Sequence, residues 1–227
     1  GCEERARRLA GLFVPEWRDV HRFLLRRASL LITPSGAARE VLVHSFPELA
    51  SSIRVVPHGV PAREPLPGRP DGPHRQIAVL GYGGRHKGDG LLEQVIDTLV
   101  PDEVIWHFFG RERFGTRPRR QVVLHGTYRR DDLPRLLAEA GINLVLLLSP
   151  WAETYSYTLS EAWRLGLPVA GSNLGAIGER IRTHGGGVTV DPWDPPAVAD
   201  TLRSLFADPA RLARLAREAA AAGRALP

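Results

Sequence analysis

Residues 143–170 read Asn-Leu-Val-Leu-Leu-Leu-Ser-Pro-Trp-Ala-Glu-Thr-Tyr-Ser-Tyr-Thr-Leu-Ser-Glu-Ala-Trp-Arg-Leu-Gly-Leu-Pro-Val-Ala and carry the strongest architectural signal in the chain. An apolar run over 143–148 gives way to a polar loop, then to a short helix ended by Gly166, and a second apolar run opens at Pro168. Strand, loop, helix and strand in that order form a crossover unit of a parallel sheet. Runs this apolar are expected of strands covered on both faces.

The same alternation extends to both sides. Ile77–Leu80, Val104–Phe109, Gln121–Leu124 and Gly187–Val190 read as further strands. Apolar stripes at helical spacing separate them: Leu91, Leu92, Val95, Ile96 and Leu99; Leu133, Leu136, Leu137 and Ala140; Val198, Leu202 and Leu205. Pro195 and Pro196 sit where a helix start tolerates proline. Residues 76–207 are therefore expected to form an α/β domain, a Rossmann-like parallel sheet with helices on both faces. Upstream, a helix over Asp19–Ala28, a strand over Leu30–Thr33, a helix over Ala37–His44 capped by Ser35, and a strand over Ile53–Val56 make one βαβ unit. Residues 1–57 are accordingly read as a remnant of a preceding domain. The Pro- and Gly-rich residues 58–75 read as an interdomain linker, and 208–227 as a C-terminal helix capped by Asp208.

Composition narrows the function classes. Of the 227 residues 43% are hydrophobic and 24% charged, as in globular domains. No run approaches the ~20 apolar residues of a membrane-spanning helix. The net charge of +5 raises nucleic acid and anionic membranes as partners. The basic residues are dispersed, without an aromatic-interleaved stripe, so no nucleic-acid partner is expected, while peripheral contact with a membrane surface stays open. The absence of Met and the start at Gly1 are read as a cut within a longer chain. Cys2 is the single cysteine, which excludes an internal disulfide and suits the reducing cytoplasm. Basic charge is almost entirely arginine, and Lys87 is the sole lysine.

In an open parallel sheet the ligand crevice lies outside the carboxyl ends of the strands, so three loops need close reading. The first, Gly81-Tyr-Gly-Gly-Arg-His-Lys-Gly, joins strand to helix and offers Gly83, Gly84 and Lys87 to a bound anion, or is an ordinary glycine turn. The second, Ser149–Pro168, holds two acids: Glu153 in the loop and Glu161 inside the helix. Carboxylates accept from vicinal hydroxyls, and the helix-start amides of Ser156, Tyr157 and Thr158 suit a diphosphate. Alone, the same two acids would pass for a capping charge and a solvated one. The third, His125-Gly-Thr-Tyr-Arg-Arg-Asp-Asp, presents Tyr128 either to a nucleobase or as a structural loop residue. No histidine spacing, Asp-x-Asp pair or thiolate cluster suggests a metal, and none is expected.

In this order the segments resemble the retaining GT-B glycosyltransferases of the group 1 family, from about Leu30 to about Asp208. The resemblance rests on Leu31-Ile-Thr-Pro-Ser, Val55-Val-Pro-His-Gly-Val, His86-Lys-Gly and Val188-Thr-Val-Asp-Pro-Trp-Asp. Above all it rests on Glu153, seven residues and Glu161, followed by Ala162, Gly166, Pro168-Val-Ala and Glu179. It implies that this is the donor-binding domain of such an enzyme and that the ligand is a nucleoside-diphosphate sugar, a substrate rather than a cofactor. An N-terminal domain would supply a glycan or lipid-linked acceptor, and the subgroup looks like the polysaccharide or O-antigen type. Carried over by position, Lys87 binds the diphosphate, Glu161 the ribose, Glu153 the sugar hydroxyls in the catalytic role, and the amides of Tyr155 to Thr158 the phosphates and sugar. The chain departs from the family at Tyr82, where many members have arginine, and at Tyr155-Ser156, where members usually have Phe-Gly. A non-hydrolysing nucleotide-sugar epimerase and a non-catalytic nucleotide-sugar-binding module are the competing readings.

Overall fold

The computed structural model describes residues 14–63, 65–66, 75–82, 88–99, 104–110 and 121–227. It divides into two compact units, Gly1–His58 and Gly59–Pro227.

The first unit contains α1 (Val14–Leu25), β1 (Leu31–Thr33), α2 (Gly36–Ser45), a 3₁₀ turn at Pro47–Leu49 and β2 (Ile53–Val55). The strands pair in parallel, Leu31 opposite Ile53 and Thr33 opposite Val55. A small core of Leu31, Phe46, Leu49 and Ile53 closes the unit. Ser35 caps α2 as expected: its Oγ accepts from the Ala38 amide at 3.0 Å, satisfying a donor the helix cannot. Helix α1 ends at Leu25, three residues short of the expectation from sequence.

The second unit runs β3 (Gln76–Tyr82), α3 (Asp89–Thr98), β4 (Ile105–Gly110), β5 (Val122–Gly126), a 3₁₀ turn (Arg130–Asp132) and α4 (Leu133–Glu139). It continues with β6 (Leu144–Leu147), α5 (Tyr157–Arg164), β7 (Val169–Ser172), α6 (Gly175–His184), β8 (Gly187–Val190), α7 (Pro195–Ala207) and α8 (Pro209–Ala225). The sheet order is β5-β4-β3-β6-β7-β8 and every pairing is parallel. Successive residues of a strand point to opposite faces, and two cores follow from that alternation. Ile77, Val79, Trp106, Phe108, Leu144 and Leu146 pack with α3 and α7 on one face. Ala78, Leu80, Phe109, Val145 and Leu147 pack with α4, α5, α6 and α8 on the other. The chain travels outward from β3 to β5 and returns to place β6 beside β3, so the direction of winding switches between β3 and β6.

Two features differ from the expectation. Strand β5 lies at the sheet edge, with Val123 39% and Leu124 43% exposed, so its apolar run is not covered on both faces. Helix α6 was not anticipated, because Gly175-Ala-Ile-Gly-Glu-Arg-Ile-Arg-Thr-His carries two glycines and a thin apolar stripe. Gly178 is required there: a Cβ would lie 2.3 Å from the Asn173 carbonyl oxygen. Asp194 and Asp208 cap α7 and α8, accepting from the amides of Ala197 at 3.0 Å and Arg211 at 2.9 Å. Part of the Pro- and Gly-rich stretch pairs with the second unit, the Val60 amide donating to the Pro227 carbonyl and the Leu66 amide to that of Leu165, each at 3.1 Å.

Candidate donor-binding crevice

The switch between β3 and β6 brings the loops that follow them into contact. Gly88, which closes the first loop, has φ +82°, and a Cβ there would stand 2.3 Å from the Leu148 carbonyl oxygen and 3.4 Å from Pro150 Cδ. Only glycine permits both the left-handed backbone and the approach. Gly83, Gly84 and Lys87, the expected anion contacts of this loop, lie outside the described residues.

The loop after β6 is tied down along its length. Ser172 Oγ donates to the Ser149 carbonyl at 2.7 Å, and the Ala176 amide donates to the Glu153 carbonyl at 2.9 Å. Gly175, φ +52°, seats this loop on the start of α6: a Cβ there would come within 2.6 Å of Ala152 Cα and 2.7 Å of the Glu153 nitrogen. Glu153 is thus half-buried on a rigid backbone at the carboxyl edge of the sheet.

Beyond it the backbone makes a turn with unusual geometry. Ser156 has φ 68° and ψ 89°, and it is the one non-glycine residue with positive φ among the described residues. Such a conformation costs ~1–3 kcal/mol for a side-chain-bearing residue, which accounts for the glycine usual there in the family it resembles. Tyr155 is 3% exposed, so its ring is closed to a ligand, whereas Tyr157 is 48% exposed. Helix α5 starts at Tyr157, and the amides that open a helix lie beyond its own repeating hydrogen-bond ladder. A buried arginine, Arg180 of α6, donates to the carbonyls of Tyr155 and Ser156. Nothing in the sequence singled it out, since arginine ordinarily signals surface.

Glu161, on α5, meets Arg130 of the turn after β5, with Arg130 Nε donating to Glu161 Oε1 at 2.5 Å. Tyr128 stands within the field of both. Its phenol is pushed up by burial and by the Glu161 charge, with Arg130 opposing. The Tyr128 ring packs edge-on to Phe109, centroids 6.2 Å apart, so it is anchored in the sheet-side core as well as facing the acid. The structure therefore gathers Tyr128 and Glu161, which the sequence separates by a helix, a strand and a loop, and adds Arg130, which no sequence signal marks.

Beneath this corner lies a polar chain on β3, β4 and β5. Gln76 Oε1 can only accept, so His107 donates to it from Nε2 at 2.6 Å, and His107 Nδ1 accepts from His125 Nε2 at 2.9 Å. Burial, with the His125 charge adding to it, drives the His107 pKa down to about 4. Among the described residues no cluster of His, Cys, Asp or Glu could hold a metal ion, and no helix is long and apolar enough to cross a membrane.

The family model for "Glycosyl transferases group 1" matches residues 76–208, more than half of the chain. A D-inositol 3-phosphate glycosyltransferase of Xylanimonas cellulosilytica is 40% identical over 224 residues, 86% of this chain and 52% of that protein. The protein of that name from Rhodococcus opacus is 29% identical over 187 residues, 80% of this chain and 33% of that one. The chain thus spans between a third and about half of the length of these two relatives. Among solved structures, Anabaena HepE in complex with UDP and glucose superposes with a TM-score of 0.76 at 20% identity, covering 94% of this chain and 64% of that one. With that family model covering residues 76–208, and a parallel sheet with its switch point beneath them, this chain belongs to the glycosyl transferases group 1 family.

Proposed function

We propose that this chain is the nucleotide-sugar-binding part of a glycosyltransferase that transfers a sugar with retention to a glycan or lipid-linked acceptor. The observation that carries the reading is the gathering of Tyr128, Arg130 and Glu161 beside the Ser156 turn, at the carboxyl edge of a parallel sheet in a member of this family. In this reading Glu161 accepts from the ribose hydroxyls, and Arg130 holds its carboxylate in place. The amides that open α5, together with Lys87, Gly83 and Gly84, take the diphosphate. Glu153, on its fixed backbone, accepts from the transferred sugar and stabilises the positive charge that develops at the anomeric carbon. The charge set is cationic and amide in character, so binding is proposed to need no metal. The proposed compartment is the cytoplasm, at or near the inner face of the membrane. The UDP-bound HepE neighbour supports a uridine nucleotide as the first ligand to try.

The test is calorimetry of the whole chain with UDP, GDP, ADP and their glucose conjugates, with and without EDTA. Saturable binding of one base series, unchanged by the chelator, is the expected result. No binding in any series would sink the assignment, and binding abolished by EDTA would refute the metal-free site.

A further inference from the structure

Arg180 is a cation that nothing in its local sequence gives reason to bury. It is 6% exposed, with its guanidinium 4.2 Å from the centroid of the Tyr155 ring and 5.2 Å from that of Trp163. A charge taken from water is tolerated only where its donors are well satisfied. Here they are spent on one short stretch of backbone and the helix it opens. Nη1 donates to the Tyr155 carbonyl at 2.9 Å and to the Ser156 carbonyl at 3.1 Å, and Nη2 donates to Ser160 Oγ at 2.8 Å.

The gripped residue is also the strained one. Ser156 holds φ 68°, and such a conformation persists only where its surroundings over-determine it. In a planar trans peptide the C=O and N–H point in opposite directions. Drawing the carbonyls of Tyr155 and Ser156 onto Arg180 therefore turns the next amides, those of Ser156 and Tyr157, away from it. We infer that Arg180 is a positioning residue of the donor site: it grips two carbonyls from below, and so fixes the left-handed Ser156 turn and aims the Ser156 and Tyr157 amides at the ligand's diphosphate. The inference rests on the donor-site reading above.

The test uses the whole chain and, among UDP, GDP and ADP, the diphosphate it binds most tightly, with the matching nucleoside as control. Arg180→Lys keeps the charge and the stem over the rings but loses the fork, and Arg180→Met loses both. Each is expected to weaken diphosphate binding about tenfold or more while nucleoside binding stays within about twofold. Ser156→Gly accepts the left-handed turn without help, so in that background the Arg180→Lys loss is expected to shrink to about threefold. Diphosphate binding by Arg180→Lys equal to the parent's overturns the inference, as does equal loss of nucleoside and diphosphate, or a loss unaltered by Ser156→Gly. Failure of the parent to bind any diphosphate overturns the donor-site reading instead, and this inference with it.

Discussion

Arg130, in the 3₁₀ turn after β5, and Glu161, on α5, join across 31 residues of sequence at 2.5 Å. The Arg130 side chain is 52% exposed and that of Glu161 21%, so water screens the pair and its worth to stability is small, ~0.2–1 kcal/mol. Its value is expected in binding. Glu161→Gln should weaken nucleoside diphosphate and nucleotide sugar alike, since both carry the ribose, while the melting temperature hardly moves. The loss is expected to be partial because the amide still accepts a hydrogen bond. Calorimetry with both ligands checks this, and unchanged affinity for both would reduce Glu161 to a surface charge.

Glu153 should separate from Glu161 by ligand. Glu153→Gln is expected to leave the free diphosphate almost untouched, to weaken the intact donor, and to lower turnover in an enzyme that includes the acceptor domain. Gly175→Ala supplies an independent check through the backbone, because its Cβ would meet Ala152 and Glu153 at 2.6–2.7 Å in a left-handed conformation. It should reproduce the donor-specific loss in the folded fraction, with a lowered melting temperature as well.

Lys87→Ala should weaken diphosphate binding by about 1.5–3 kcal/mol, the range for hydrogen bonds to charged groups, or roughly tenfold to a hundredfold. Nucleoside affinity should stay as in the parent. Equal losses on both would instead indicate that the glycine-rich loop had collapsed.

Ser156→Gly should stabilise the chain. Glycine accepts φ 68° without the ~1–3 kcal/mol of strain, and returns only part of the gain as backbone entropy of the unfolded state. A rise of about 2–4 °C in melting temperature corresponds to roughly 1 kcal/mol for a chain of this size. A fall on thermal denaturation would show that the serine side chain contributes more than its backbone costs.

Acid should destabilise the fold through His107. Its pKa in the folded state is lowered to about 4 from an ordinary 6.5, so between these values the unfolded chain binds a proton that the folded chain refuses. Stability is then complete above pH 6.5 and falls as the pH drops toward 4. His125 is lowered by burial too and acts in the same direction. Melting temperatures of the parent and His107→Gln, measured between pH 7.5 and pH 4.5, should show a shallower decline for the variant; parallel curves would exclude this pair as the cause.

The elements set by local pattern were legible before any coordinates. Strands β3, β4, β6, β7 and β8 and helices α3, α4, α5 and α7 announce themselves by apolar period. Ser35 and Asp208 announce helix starts because a side-chain oxygen three residues before a free amide is a local device. The paired acids and the glycine-rich loop stand out in the sequence as candidates, because their spacing along the chain is itself the signal. Helix α6 was not visible, since Gly175 and Gly178 were chosen for close approach to Ala152 and Asn173 rather than for helical propensity. Nor were the burial of Arg180, the meeting of Arg130 with Glu161, or the exposure of β5. Each depends on which distant elements become neighbours once the sheet is assembled, and a pairing between residues 20 or more apart leaves no periodic trace in the chain that makes it.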